Sequence, residues 1–406
     1  MDNAVKDLTM TDIPAATQDR LSEFDFQAHN AEVREMWTAF HAGTPYRTPV
    51  ILGLATRYFM HHPDANSPGF DQRRYSQDPD AMYEAQLRYQ RWSRFNVLQD
   101  WELGLPETWQ IHVDLQNYYD AAWFGCPIEY REGEVPDTTP AYVEQPERVM
   151  EQGIPDPFGG VLGRGLEFYE HFCARAERDS FLDRPVSIQP PWYGIGTDGV
   201  MTCACNLFGP VFVCTAMADE PDRLRSLLDF ITDALIAKMK AYRERFQIAC
   251  PQDGFWMADD SIALISTRMF REFILPCLRR IYDAFATPKG RGIHLCGNAQ
   301  RHFVILRDEL GISAFDTGFP IDFARLRREL GPEVTIQGGP HVEMLRTGTT
   351  EQVTAETRRI LQSGILEGGR FILREGNNLA PGTPLENTEA MYWAAREYGL
   401  RTEVRS

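Results

Sequence analysis

His294-Leu-Cys296 places an imidazole and a soft thiol two residues apart at the end of an apolar run. In an extended strand, residues i and i+2 share a face, so both side chains would reach one pocket. Nitrogen plus sulfur is a zinc-type donor pair, but zinc takes three or four protein ligands, so these two leave a site incomplete. A buried thiol beside a hydrogen-bonded histidine is the competing reading, and the spacing leaves both open. Cys203-Ala-Cys205 is also closely paired. Set just before Asn206 and the Gly209-Pro210 break, it is expected to form a wall of packed thiols and not a second centre.

Such a pair needs a strand to carry it and neighbouring strands to complete it. The chain repeats one pattern, in which a short apolar run ends in polar or Gly residues and a helical periodicity follows. Strands are expected at 49–57, 109–115, 185–189, 254–258, 292–296, 314–317, 334–337 and 370–373. Between them, Leu224, Leu227, Leu228, Ile231, Leu235 and Met239 mark an amphipathic helix over 222–246. Thr349 with Gln352, and Thr383-Pro-Leu-Glu386, predict capped helix starts. Eight alternating units imply parallel strands closed into a (β/α)8 TIM barrel, whose chemistry sits at the C-terminal strand ends.

That topology would deliver Arg57, Asp114, Asp259, Asp260, His294, Cys296, Asp316, His341, Glu375 and Asn377 to one mouth. Each also has a structural explanation, since Asp after a strand often caps the next helix and Arg57 could pair with one of them. Residues 1–45 are expected to form an N-terminal arm with a helix near 31–40, and 46–406 the barrel. The Pro-rich stretch 126–184 exceeds what one unit needs and is expected to form a cap. Trp192, Tyr193, Phe208, Phe212, Trp256 and Phe319 near predicted loop or strand ends would suit an apolar or aromatic small molecule, although most such residues belong to the core.

With 406 residues and 43% hydrophobic content, the chain can bury a large core. A formal charge of −17 disfavours nonspecific attraction to nucleic acid or anionic membranes. Eight scattered cysteines suggest reduced thiols, and the acidic start Met1-Asp-Asn-Ala-Val-Lys-Asp lacks a signal-peptide pattern, so a cytoplasmic location is expected.

The order of motifs resembles the uroporphyrinogen decarboxylase superfamily over roughly residues 45 to 400. The resemblance rests on Met257-Ala-Asp259-Asp260, Phe270-Arg-Glu-Phe-Ile-Leu-Pro276 with Arg279-Arg280-Ile281, and His294-Leu-Cys296-Gly297-Asn298. Gly209-Pro210, Gln337-Gly338-Gly339 and the ending from Gly376-Asn-Asn-Leu-Ala-Pro381 to Asn387 extend it. Two chemistries are implied. In the decarboxylase branch the acidic group would fall on Asp114, but that branch's Arg-Gln-Ala-Gly-Arg segment is absent and only Arg57 remains.

In the zinc-dependent methyltransferase branch, His294 and Cys296 correspond to metal ligands. The usual third ligand, a cysteine after the last strand, is replaced by Asn377, so the resemblance implies that His341 or Glu375 completes the shell. Asp259 or Asp260 would orient a ligand or substrate, and Gly339 and Asn377 would lie beside a bound cofactor. The methyl carrier would be a corrinoid on a partner protein, because this chain has no cobalamin-binding Asp-x-His-x-x-Gly pattern; the partners would be that protein and a small-molecule substrate, with a homodimer left open. The function implied is methyl transfer between a small methylated substrate and a corrinoid protein. A metal-free decarboxylase using Asp114 and Arg57, and a noncatalytic ligand-binding barrel, are the alternatives.

Overall fold

A computed structural model describes residues 19–62 and 64–400, so the acidic start on which the cytoplasmic expectation rested lies outside the described residues. The architecture is α/β with a five-stranded parallel sheet. Ten strands occur in chain order among the described residues: β1 (Trp109–Ile111), β2 (Ile128–Glu129), β3 (Asp137–Thr138), β4 (Ser180–Phe181), β5 (Arg184–Ile188), β6 (Trp256–Ala258), β7 (Gly292–Leu295), β8 (Ala314–Thr317), β9 (Thr335–Gly338) and β10 (Phe371–Leu373). Five of them, β6 to β10, form one parallel sheet in sequential order. A second sheet pairs β1 with β5 in parallel and β5 with β4 in antiparallel fashion.

The buried, β-branched character of these short runs explains why they sit inside a helical layer. Ile293, Leu295, Phe315, Ile336 and Leu373 are fully buried. Helices at Leu275–Phe285, Gln300–Leu310, Phe323–Leu330, Thr350–Ile360 and Leu385–Tyr398 follow the strands in turn. Within Phe323–Leu330 the buried positions are Phe323, Leu326, Arg327 and Leu330, the spacing of one helical face. Arg327 is buried because its guanidinium donates to four carbonyls, those of Ile365, Gly331, Val334 and Arg370. It thereby ties the start of β9 and the approach to β10 to one helix.

The expected strand over 49–57 is shorter than its apolar run. Only Val50 bridges β10, with Ile51 N–H donating to Leu373 O at 3.0 Å and Leu373 N–H to Pro49 O at 2.9 Å. Beyond it, Thr56–Met60 is helical and carries Arg57. Ala258 N–H donates to Thr197 O at 3.3 Å, bringing the segment after β5 against β6. The expected N-terminal helix spans Phe26–His41. The stretch 126–184 contains the β2–β3 hairpin and the helix Gly160–Ala176, which packs beside β5.

Thr349 and Gln352 form the expected reciprocal cap. Thr383 does not cap its helix: Pro384 occupies the cap position and the Thr383 hydroxyl donates to Ala380 O instead. No single helix among the described residues is long and apolar enough to cross a membrane.

Candidate metal centre

Register builds the site. His294 on β7 is paired with Ala258 on β6 and with Asp316 on β8, so the residues that leave these strands converge at one edge. Leu295 points into the core, and Cys296 returns to the face of His294, as two-residue periodicity requires. Gly318 permits the close approach of the neighbouring chain, because a Cβ there would lie 2.0 Å from the carbonyl carbon of Cys296.

Asp260, at the start of a single 3-10 turn after β6, supplies the third donor. One ligand atom from each of Asp260, His294 and Cys296 lies within 4.8 Å of the others. His294 Nε2 is 3.9 Å from Asp260 Oδ1, which also accepts the Cys296 N–H at 2.7 Å. On the other side of the ring, His294 Nδ1 lies 2.6 Å from Asp316 Oδ2. An Nδ1–H donated to that carboxylate leaves the Nε2 lone pair facing Asp260 and Cys296, the orientation a metal-binding histidine needs. Arg374, directly after β10, donates to the same Asp316 oxygen at 2.7 Å.

Electrostatics favour a cation here. Burial alone would lower the His294 pKa, but the Asp316 hydrogen bond and the Asp316 and Asp260 charges outweigh it and raise the value. Burial pushes the Cys296 thiol well above its ordinary range, and Asp260 adds to that effect. A divalent ion reverses this logic, since it favours the thiolate directly. Nitrogen, sulfur and carboxylate oxygen are zinc donors, and the three residues fit that ion. Asp316 Oδ1, Arg374 Nε and Glu375 Oε2 are buried without a hydrogen-bond partner among the described residues.

Several expected site residues have other places. His341 is exposed and caps the helix Val342–Thr347, its Nδ1 accepting from Glu343 N–H at 2.9 Å, so it does not complete the donor set. Glu375 is fully buried with Oε1 accepting from Gly53 N–H at 2.6 Å, and it too stands outside the donor group. Its carboxyl is pushed up to about 7, chiefly by burial. Asp259 caps another element: it accepts from Met201 N–H, Thr202 N–H and the Thr202 hydroxyl, at the start of the helix Val200–Phe208. Burial pushes it up to about 7.

Gly339 is a packing position, because a Cβ there would meet Arg374 O at 2.2 Å. Asn377 sits at φ +138° and its carbonyl accepts from Arg374 at 3.0 Å. Its contribution is thus to the loop that holds Arg374. Asp114 accepts from Tyr75 at 3.0 Å and from Gln116 N–H at 2.8 Å. The Arg57 side chain makes no hydrogen bond or ion pair among the described residues; burial lowers its pKa, partly offset by Asp114 and Cys296. Tyr193 and Phe208 are core residues, and Trp256 packs on Gly292 at the opposite end of β6.

Arg374, which holds Asp316, was not among the expected residues; it had a signal, as the first residue after an apolar run.

Several proteins of known activity are similar to this chain in sequence. A methylated-thiol–coenzyme M methyltransferase of Methanosarcina mazei is 27% identical over 290 residues, covering 68% of this chain and 70% of the relative. A uroporphyrinogen decarboxylase of Saccharopolyspora erythraea is 31% identical over 41% of this chain, and a methylcobamide:CoM methyltransferase of Methanosarcina mazei 27% identical over 44%. The chain spans about half the length of those two, 47% and 50%. A solved structure described as a methyltransferase from Methanosarcina mazei superposes with a TM-score of 0.57 at 20% identity, covering 90% of this chain and 98% of the other, and shows the same fold. A family model described as uroporphyrinogen decarboxylase (URO-D) matches residues 34–398, and the chain belongs to that family.

Proposed function

We propose that this protein is a zinc-dependent methyltransferase-like enzyme that moves a methyl group between a small methylated substrate and a corrinoid carried by a partner protein. Its eight parallel segments, Val50 with β10, β1, β5 and β6 to β9, are read as one closed barrel with the donors at its mouth. The observation that carries the reading is the convergence of Asp260, His294 and Cys296 within 4.8 Å. Relatives on the methyltransferase side support the reaction class.

Asp260, His294 and Cys296 would hold the zinc, with Asp316 fixing the imidazole and Arg374 fixing Asp316. When bound, the metal supplies Lewis-acid activation of a thiol or of a leaving heteroatom. The protein's part is to keep His294 in one tautomer and to hold Cys296 against Asp260. Arg57, an unpaired guanidinium within electrostatic reach of Cys296, would anchor an acidic group on the substrate.

Metal analysis of protein grown in zinc-supplemented medium tests the proposal. About one zinc per chain is expected, lost in Cys296→Ser while the variant keeps its wild-type circular dichroism. Wild-type protein without tightly held metal would contradict it.

A second reading, decarboxylation assisted by Asp114, draws on the decarboxylase relative and on the placement of Asp114 beside Arg57. Release of carbon dioxide from a porphyrinogen by metal-free protein would favour it.

A further inference from the structure

A second polar assembly borders the metal centre and serves none of the roles above. The turn Thr197–Gly199 lies against the end of β6: a Cβ on Gly199, at φ +91°, would lie 2.4 Å from Ala258 O and 2.5 Å from the Asp259 Cβ. Asp198, on a turn after the short helix Trp192–Ile195, therefore lies beside the strand end that presents Asp260. Tyr119 donates to Asp198 Oδ1 at 2.9 Å, and no protein group bonds Oδ2 among the described residues. The side chain is half-buried.

Beneath it lies a fully buried ion pair. Lys238 donates to Asp120 and to the carbonyls of Tyr193 and Gly196 at 3.1 and 3.0 Å. Asp120 Oδ2 accepts from the Thr197 hydroxyl at 2.8 Å and from Asp198 N–H at 3.1 Å. Lys238 is thus held by Asp120, and its charge offsets only part of the cost of a charged Asp198. Facing Asp198 are Tyr119 and Asp120 on one helix, Lys238 on a second, Cys203 on a third and Asp260 on the 3-10 turn. Burial, with the Asp120 charge second, pushes the carboxyl up to about 8, and a proton on Oδ2 removes that cost. With Tyr119 fixed on Oδ1, that proton occupies the oxygen no protein group has claimed.

We propose, on the methyl-transfer reading above, that Asp198 is the acid that protonates the heteroatom from which the methyl group leaves. In that step the bond from methyl carbon to heteroatom breaks heterolytically, and its electron pair stays on the heteroatom. The methyl carbon bonds to the lone pair of the accepting nucleophile, of the reduced-corrinoid class. The heteroatom takes the Oδ2 proton, leaving an Asp198 carboxylate held by Tyr119, and solvent returns the proton. Neutral general acids of this kind are formed by burial beside like charge.

The test compares wild type, Asp198→Asn and Tyr119→Phe, all zinc-loaded, with free cob(I)alamin as acceptor and ring-substituted methyl phenyl thioethers as probe donors. Wild type is expected to show a shallow dependence of rate on leaving-group pKa. Asp198→Asn should show a steep one, with roughly 100-fold loss on the poorest leaving group and little loss on the best. Tyr119→Phe should keep the shallow slope. Difference infrared spectra at pH 7 give an independent readout: a protonated-carboxyl band present in wild type and missing in Asp198→Asn. Absence of that band in wild type, or equal slopes in wild type and Asp198→Asn, overturns the assignment of Asp198 alone. No turnover of any probe by zinc-loaded wild type overturns the methyl-transfer reading, and this proposal with it.

Discussion

At the residue scale, the site is a set of carboxyl groups whose charges are distributed by a few fixed hydrogen bonds. Glu375 gives the plainest consequence. Its carboxyl has an ordinary value of 4.5 and is pushed up to about 7 in the folded chain, chiefly by burial, with Arg374 partly offsetting. The unfolded chain therefore loses this proton first, and the folded state is penalised as pH rises. The contribution to stability is complete below about pH 4.5 and is lost as pH rises through about 7, at up to about 1.4 kcal/mol per pH unit inside the window. Glu375→Gln removes this dependence. Chemical denaturation of both proteins between pH 5 and 8 should show a smaller decline for the variant, and identical declines would refute the assignment. Sequence made His294, Cys296, Asp316 and both aspartates at 259 and 260 visible. It could not divide labour between the last two, because adjacent residues leaving a strand differ only in direction: Asp259 turns back to cap a helix and Asp260 turns to the donors.

At the element scale, the placement of donors depends on how closely strand ends approach. Short apolar runs bounded by polar residues located most strands to within two or three residues, and the 222–246 helix is observed at Pro221–Arg245. The first run misled, because an apolar stretch does not reveal where its hydrogen bonds go; after Val50 the chain is irregular and turns helical from Thr56. Position 341 misled for a related reason, since a residue at the end of a strand is also the cap of the next helix. Gly318 is the element-level contact on which Cys296 depends. Gly318→Ala would drive a methyl group into the Cys296 backbone, which cannot yield as a flexible side chain would. The expected cost is about 1–3 kcal/mol, with loss of bound zinc. Urea unfolding and metal content check this together, and a variant with wild-type values in both would show that the strands approach less closely.

At the scale of the whole molecule, the region before the first strand is part of the fold. The N-terminal helix carries Glu32, whose carboxylate grips Arg47 at 2.6 and 2.8 Å. Arg47 in turn makes a two-pronged pair with the fully buried Asp100 at 2.6 and 2.9 Å, and Asp100 also accepts from Val50 N–H. The Glu32 and Arg396 pair then joins the helix to the C-terminal helix. Arg47→Ala would leave Asp100 buried without its cation, costing about 3–5 kcal/mol in denaturant titration. A loss below 1 kcal/mol would mean that the network is ornamental. None of this network was legible in the sequence, since ion pairs between residues 32, 47, 100 and 396 follow from the tertiary fold and not from local pattern.

The central claim is that one oxygen, one nitrogen and one sulfur of this chain share a metal ion. X-ray absorption at the zinc edge on the loaded protein measures that shell directly. The expected result is a single sulfur at about 2.3 Å with the remaining ligands nitrogen or oxygen at about 2.0–2.2 Å, and an Asp260→Ala variant that loses one light ligand. A shell with two or more sulfurs, or one unchanged in Asp260→Ala, would contradict the assignment of Asp260, His294 and Cys296 as the metal centre.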